Sequence, residues 1–282
     1  MRLTWSRFDL DLSKKTYIMG ILNTTPDSFS DSGRHYNIDR AVEHALNMID
    51  VGADIIDVGG ESTRPGSAPV NLEEELRRTI PVIKALARII SIPISIDTYK
   101  AAVAERALDA GAGLVNDISG LRFDPDMSSV VSAYKVPVVI MHIKGTPQKM
   151  QVNPVYDALI PEITDYFRIS IKIAVQAGIS EKIIILDPGL GFGKTFNHNL
   201  EIINRLQEFR ILDQPLLIGP SRKAFLGKIL DGAPPDQRLE GTAAVVTASI
   251  LNGANMLRVH DVKEMAKVAK VADAIKREKV TQ

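Results

Sequence analysis

Several polar side chains in this sequence close short β-branched, apolar runs, where a packed core alone would not choose them. Asp97 follows the run 93–96, Asn116 follows 113–115 and Asp187 follows 183–186. Carboxylates beside a carboxamide are what a flat heterocycle with ring N–H groups and an exocyclic amine needs for recognition, although Asp97 has a competing role as the N-cap of a following helix. Arg258 and His260 alternate onto one face of a further run, and a buried Arg beside a strand-end His is a poor choice for packing. Lys223, in Ser221-Arg222-Lys223, stands just ahead of a helical pattern, where backbone N–H groups and cations favour an anion. The plainer alternative there is a cationic loop with a Ser cap.

Other positions carry two readings each. Arg64 in GGESTRPG is either a guanidinium clamp for carboxylate or phosphate or a solvated loop residue, and Thr63 beside it either orients a ligand or caps the loop. Asn23 reaches a metal or phosphate oxygen, or is turn punctuation in NTTPD. His142 is an acid–base group or an anion contact; it lacks the close partners of a zinc site. Met141 reads as a packing wall, Phe192 as a stacking wall and Lys144 as a loop cation, while Asp117 alternates away from Asn116 into a structural role. DPGLGFGK at 187–194 is neither a phosphate loop, because Pro188 stands where the first Gly belongs, nor a dinucleotide fingerprint, because Gly189, Gly191 and Gly193 are spaced by two. Its glycines let backbone pass close to a ligand. No Ser-His-Asp arrangement is apparent around Ser221.

The elements that must position these groups recur eight times. Runs at 17–23, 54–60, 93–97, 113–119, 137–142, 183–189, 215–221 and 256–261 each end in polar residues and Gly, and a helical pattern follows. Strand–helix alternation implies parallel βαβ units. Eight units with polar residues at every strand end predict a (β/α)8 TIM barrel, whose mouth gathers all eight ends, over an open doubly wound sheet, which uses only those at its switch point. The residues before Tyr17 predict a short N-terminal hairpin or lid at the barrel's base. Asn71 with Glu74 resembles a capping box, Pro81 should kink or end its helix, Thr98 can cap the helix that closes near Gly111, and Asp261 with Glu264 can cap the last one. The longest helical candidate spans 155–178 and the shortest lies near 127–134. The loops 24–37 and 61–71 overhang the mouth as candidate lids.

The 282 residues suffice for one large core, and with no linker or low-complexity tract they read as one domain, 1–282. Aromatics are only 5%, so Ile, Leu, Val and Ala must build the interior, as buried parallel sheets prefer. Lys plus Arg and Asp plus Glu balance at 34 each, without the basic excess of a nucleic-acid binder. There is no Cys, which removes disulfides, thiol nucleophiles and Cys-zinc sites. No apolar run is long enough for a membrane span and the N-terminus lacks a signal-peptide core, so the expected location is cytoplasmic.

Taken together, LNTTPDSFSDSG at 22–33, GGESTRPG at 59–66, SIDT at 95–98, VNDIS at 115–119, MHIKGTPQ at 141–148, DPGLGFGK at 187–194, SRK at 221–223 and RVHD at 258–261 resemble the dihydropteroate synthase family, the sulfonamide targets of folate biosynthesis. The resemblance covers nearly the whole chain in the family's order. It implies a (β/α)8 barrel that condenses 6-hydroxymethyl-7,8-dihydropterin diphosphate with p-aminobenzoate. By that resemblance Asp97, Asn116, Asp187 and Lys223 bind the pterin ring, Arg258 stacks beside it, and Met141 and Phe192 form its walls. Asn23, Arg258 and His260 hold the diphosphate, with Mg2+ bridging Asn23 and phosphate oxygens. Asp97, Lys223 and Arg258 are the expected catalytic groups. Thr63, Arg64, Pro65 and Phe29 shape the p-aminobenzoate pocket. Many relatives carry Ser after SRK to contact the p-aminobenzoate carboxylate; here Ala224 replaces it, and amides at a helix N-terminus are the remaining means of holding that group. A homodimer through the Ala-rich helix around 241–251 is also implied. The rivals are a pterin-dependent methyltransferase, which has no need of the STRPG loop or the diphosphate contacts, and a non-catalytic pterin-binding paralogue, which would be expected to lose them.

Overall fold

A computed structural model describes residues 1–25, 34–63 and 66–279, and the side chains at 34–37 also lie outside that description. Two short strands, β1 (Arg2–Trp5) and β2 (Phe8–Asp11), pair antiparallel. Eight strands then follow in parallel: β3 (Tyr17–Asn23), β4 (Ile55–Gly59), β5 (Ile94–Asp97), β6 (Leu114–Asp117), β7 (Val138–Met141), β8 (Ile184–Asp187), β9 (Leu217–Ile218) and β10 (Met256–Val259). They are ordered β8-β7-β6-β5-β4-β3-β10-β9, and a single parallel bridge, Leu186 to Leu216, closes the circle. This is the (β/α)8 barrel with its N-terminal hairpin. Strands β4 to β9 are buried at every residue, which explains why they read as continuous apolar runs rather than alternating ones.

The helices pack outside: α1 (Arg34–Asp50), α2 (Leu72–Leu86), α3 (Ala101–Asp109), α4 (Met127–Tyr134), α5 (Leu159–Gln176), α6 (Phe196–Asn204), α7 (Ala224–Ile229), α8 (Leu239–Leu251) and α9 (Val262–Arg277). Their ends depart from expectation in instructive ways. Asn71 does cap α2, accepting from Glu74 N at 2.9 Å, but the Glu74 carboxylate turns to Arg77 and Arg78, so the reciprocal half of the box is missing. Pro81 does not end α2; the carbonyl it leaves without an amide belongs to Arg77, on the exposed side where water can serve. Thr98 binds Lys100 N in the turn before α3, whereas the first amide of that helix, Ala101, goes to Asp124. Asp261 stands at the start of α9 but caps nothing, because the Arg222 guanidinium takes its carboxylate in a two-pronged ion pair.

The register decides what meets at the mouth. Gly59 pairs with Asn23 and Asp97, Asp97 with Asn116, and Met141 with Asp187, all at the C-terminal ends of strands. At the opposite end the hairpin covers the base: Trp5 and Phe8 lie 5.3 Å apart, ring to ring, over Gly113 at the entry to β6. The start of β3 is tied to the last helix, since Thr16 N and Thr16 Oγ1 both donate to the buried Asp273 carboxylate at 2.6 and 2.9 Å. Replacing Asp273 by Ala strands two buried donors and should lower the unfolding free energy by about 1–3 kcal/mol in urea titrations, whereas Asp273→Asn should lose less.

Candidate active site at the barrel mouth

Arg258 on β10 is the centre of the mouth. Its Nε donates to Asp57 Oδ2 on β4 and its Nη2 to Asp97 Oδ2 on β5, both at 2.6 Å. Asn116 at the end of β6 donates from Nδ2 to the same Asp57 oxygen at 3.0 Å. Both carboxylates are buried, and Asp57 Oδ1 and Asp97 Oδ1 have no partner among the described residues. Burial pushes the Asp97 carboxyl up, Arg258 opposes that, and Asp57 adds to it. For Arg258, burial disfavours the charge, but Asp57 and Asp97 outweigh it and hold the guanidinium protonated.

A second charged pair faces this one. Asp187 at the end of β8 accepts Gly189 N at 2.7 Å, and burial raises its pKa against the pull of that amide and of Lys223. The Lys223 ammonium lies 4.7 Å from the centre of the Phe192 ring, and burial draws its pKa down to about 8 while Asp187 resists. Gly189 must be Gly: its φ is +68°, and a Cβ would sit 2.2 Å from the His142 carbonyl. Met141, Ile118, Ile143 and Met150 form a small apolar cluster, with Phe192 and Tyr99 packed against it. The mouth thus combines paired carboxylates, one carboxamide, two cations and an apolar wall.

His260 is fixed by Ser221. The Ser221 hydroxyl accepts His260 N at 3.2 Å and lies 2.9 Å from Nδ1. This contact fixes the orientation of the imidazole ring and leaves Nε2 without a protein partner among the hydrogen bonds of the described residues. Burial, with Arg258 and Arg222 nearby, lowers the His260 pKa to about 3, so the ring is neutral at physiological pH. Asn23 Oδ1 lies close to Gly59, whose missing side chain leaves room between Asn23 and Asp97. Thr63 is half-buried, whereas Arg64, Pro65 and Phe29 lie outside the described residues.

Some expected groups turn elsewhere. His142 is buried, with Nδ1 2.9 Å from Lys194 Nζ and its ring edge-on to Tyr166 at 4.6 Å, so it braces loops rather than facing an anion. Asp117 accepts the amides of Ser119 and Leu121 and shapes the turn after β6. Lys144 binds the Val155 carbonyl and Glu162. Arg222 serves Asp261, and α7 has only six residues, so the expected gathering of cations at its start reduces to Lys223. Three features were not anticipated. Asp57, mid-strand in β4, shares the inward parity of Gly59, and the alternation argument applied to Arg258 and His260 would have found it. Lys194 holds the His142 and Phe192 carbonyls at 3.3 and 2.9 Å. Lys100 bridges the buried Glu61 and Glu75, which joins the root of the loop after β4 to the root of α3. Sequence offers no periodic signal for these last two.

The fold and a mouth of this composition define a (β/α)8 enzyme for a small polar ring. Residues 19–260 match the family model described as "Pterin binding enzyme". A dihydropteroate synthase from Synechocystis is 51% identical over 94% of this chain and 92% of its own. Among solved structures, the Yersinia pestis dihydropteroate synthase with a sulfonamide drug complex superposes with a TM-score of 0.92 at 44% identity, covering 98% of this chain and 100% of that one. The Clostridium difficile dihydropteroate synthase, solved in the presence of pteroic acid, gives 0.89 at 51%, with 94% and 98% covered. The chain belongs to the dihydropteroate synthases within the pterin-binding enzyme family.

The lowered Lys223 pKa carries a sign that can be checked. Between about pH 8 and the ordinary Lys range near 10.5, the unfolded chain holds a proton that the native state has released. Native stability should therefore rise with pH across that window relative to Lys223→Met. Parallel stability–pH curves for the two proteins, from urea unfolding, would contradict the burial of this ammonium.

Proposed function

We infer that the protein condenses 6-hydroxymethyl-7,8-dihydropterin diphosphate with p-aminobenzoate to give 7,8-dihydropteroate and diphosphate. The observation that carries this reading is the buried Asp97 oxygen, without a partner among the described residues, beside the Asn116 carboxamide: an acceptor next to an amide, held for a ring rich in N–H groups. Asp187 and Lys223 supply the opposite edge with an acceptor and a donor, and Met141 and Phe192 cover an apolar face. Pteroic acid, present with the Clostridium difficile relative, joins the same two substrate moieties.

Arg258 and His260, whose ring is held in place by Ser221, suit the two ends of a diphosphate. Asn23 fits a Mg2+ carried in with that group: one carboxamide oxygen, phosphate oxygens and water make a suitable set, and no cluster of three His, Asp or Glu that could cage a metal exists among the described residues. Bound there, the ion would help neutralise charge on the departing diphosphate. As the C–O bond to diphosphate breaks, the pterin methylene becomes electron-poor. The Asp97 carboxylate is positioned to stabilise that positive charge, and the arylamine of p-aminobenzoate attacks the carbon. The protein contributes orientation and preset charge rather than a covalent intermediate. The family resemblance assigns Thr63, Arg64, Pro65 and Phe29 to the p-aminobenzoate side, and the amides opening at Ala224 are left to hold its carboxylate.

The reading extends to a cytoplasmic homodimer. Ile229 and Leu230 at the end of α7 and Leu251 at the end of α8 are exposed apolar residues of the late helices through which a second copy would pack. No helix among the described residues is long and apolar enough to cross a membrane.

Purified protein with the pterin diphosphate and Mg2+ should release diphosphate only when p-aminobenzoate is added, and should form dihydropteroate. Pterin binding without release would move the assignment to the methyltransferase or a binding paralogue. Asp97→Ala should keep the circular dichroism of the fold and lose roughly 100-fold or more in kcat; unchanged turnover would remove Asp97 from its role.

A further inference from the structure

Asp57 contributes no group to the pterin edges described above, yet the mouth is built around it. The register pairs Asp57 with Ser95 and Gly59 with Asp97, so Asp57 lies one inward layer beneath the ring-binding carboxylate. Its side chain is fully buried. Gly59, next above it on the same face, has no side chain, and a Cβ there would lie 3.5 Å from Asp97, while Asp57 itself meets Arg258 and Asn116.

We propose that Asp57 is a positioning residue for the synthase reaction, setting the orientation of Asn116 and the charge balance of Arg258 before the pterin arrives. This rests on the reading of the mouth as a pterin site. The Asp57 oxygen that accepts from Arg258 Nε also accepts from Asn116 Nδ2, so it favours Asn116 with its Nδ2 inward over the flipped carboxamide, which would set oxygen against oxygen. The Asn116 oxygen and its second N–H are thereby directed at the ring in one arrangement. Asp57 also holds Nε of Arg258, which leaves the outer nitrogens of the fork for the mouth. When Asp97 turns to the ring N–H groups, its hold on Arg258 weakens, and Asp57 remains as the counter-charge that keeps the guanidinium from being buried alone.

The test compares Asp57→Asn with the parent protein in steady-state assays that vary each substrate. The amide is nearly isosteric but can neither reject the flipped Asn116 nor balance Arg258. The expected result is a KM for the pterin diphosphate raised about tenfold or more, a KM for p-aminobenzoate within about twofold, and a lowered melting temperature with the folded circular dichroism kept at the assay temperature. In the Asn116→Ala background the penalty for Asp57→Asn should shrink, because part of what Asp57 does is done through Asn116. A folded Asp57→Asn protein with parental constants for the pterin, or strictly additive losses in the double variant, overturns the proposal. If Asp57→Asn does not fold, the parent protein decides: one Asn116 side-chain N–H, assigned by its loss in Asn116→Ala, should be protected from exchange. Two freely exchanging N–H protons overturn the proposal. A parent protein that turns over no pterin diphosphate would instead defeat the functional reading, and the two failures are thus distinct.

Discussion

Arg258 carries a full charge into a barrel lined by Ile, Val and Leu, and it can do so only because carboxylates from two other strands meet it. A lone buried guanidinium would cost several kcal/mol in lost hydration. Asp57 and Asp97, each 2.6 Å from a different nitrogen of the fork, offset that cost. The compensation needs β4, β5 and β10 in one register, so the ion lattice and the closed sheet specify each other. Since Asp57 and Asp97 each keep an oxygen without a partner among the described residues, the lattice balances charge with acceptors to spare there. A site so arranged is complete as a structure and incomplete as a set of hydrogen bonds, which is the state a binding pocket must be in before its ligand.

Around this centre, each chemically active strand end is braced by a neighbour. Ser221 sets the ring of His260, Lys194 stitches the loop after β7 to the loop after β8, and Lys100 joins the loop after β4 to the start of α3. These braces are short polar contacts between adjacent barrel loops, made possible because parallel strands deliver their loops side by side. Preorganisation of this kind matters for a reaction that relies on aiming fixed charges at a departing anion and an electron-poor carbon, since reorienting dipoles during the event would consume the advantage.

The barrel was legible because its strands are buried on both faces and its helices keep their period, so the repeated alternation stood out from composition alone. Asp97, Asn116, Asp187 and Arg258 were visible because polar residues interrupt apolar runs. The failures share a cause: side chains choose partners by distance in space. Asp261 reads as a cap until Arg222, 39 residues away, claims it. His142 reads as a site residue until Lys194, 52 residues away, draws it into the wall. Asp57 was hidden by its position in mid-strand, although the parity of Gly59 marked it as inward.

The hairpin at the base holds the chain's one tryptophan. Trp5 is buried against Phe8 and Gly113 at the end of the barrel opposite the charged mouth, with its indole N–H unpartnered among the described residues. Its emission should be that of an indole in an apolar setting, and it should stay quiet when ligands enter the far end. The molecule therefore separates two optical reports: ultraviolet fluorescence follows the integrity of the base, and occupancy of the mouth must be read from the ligand's own chromophore.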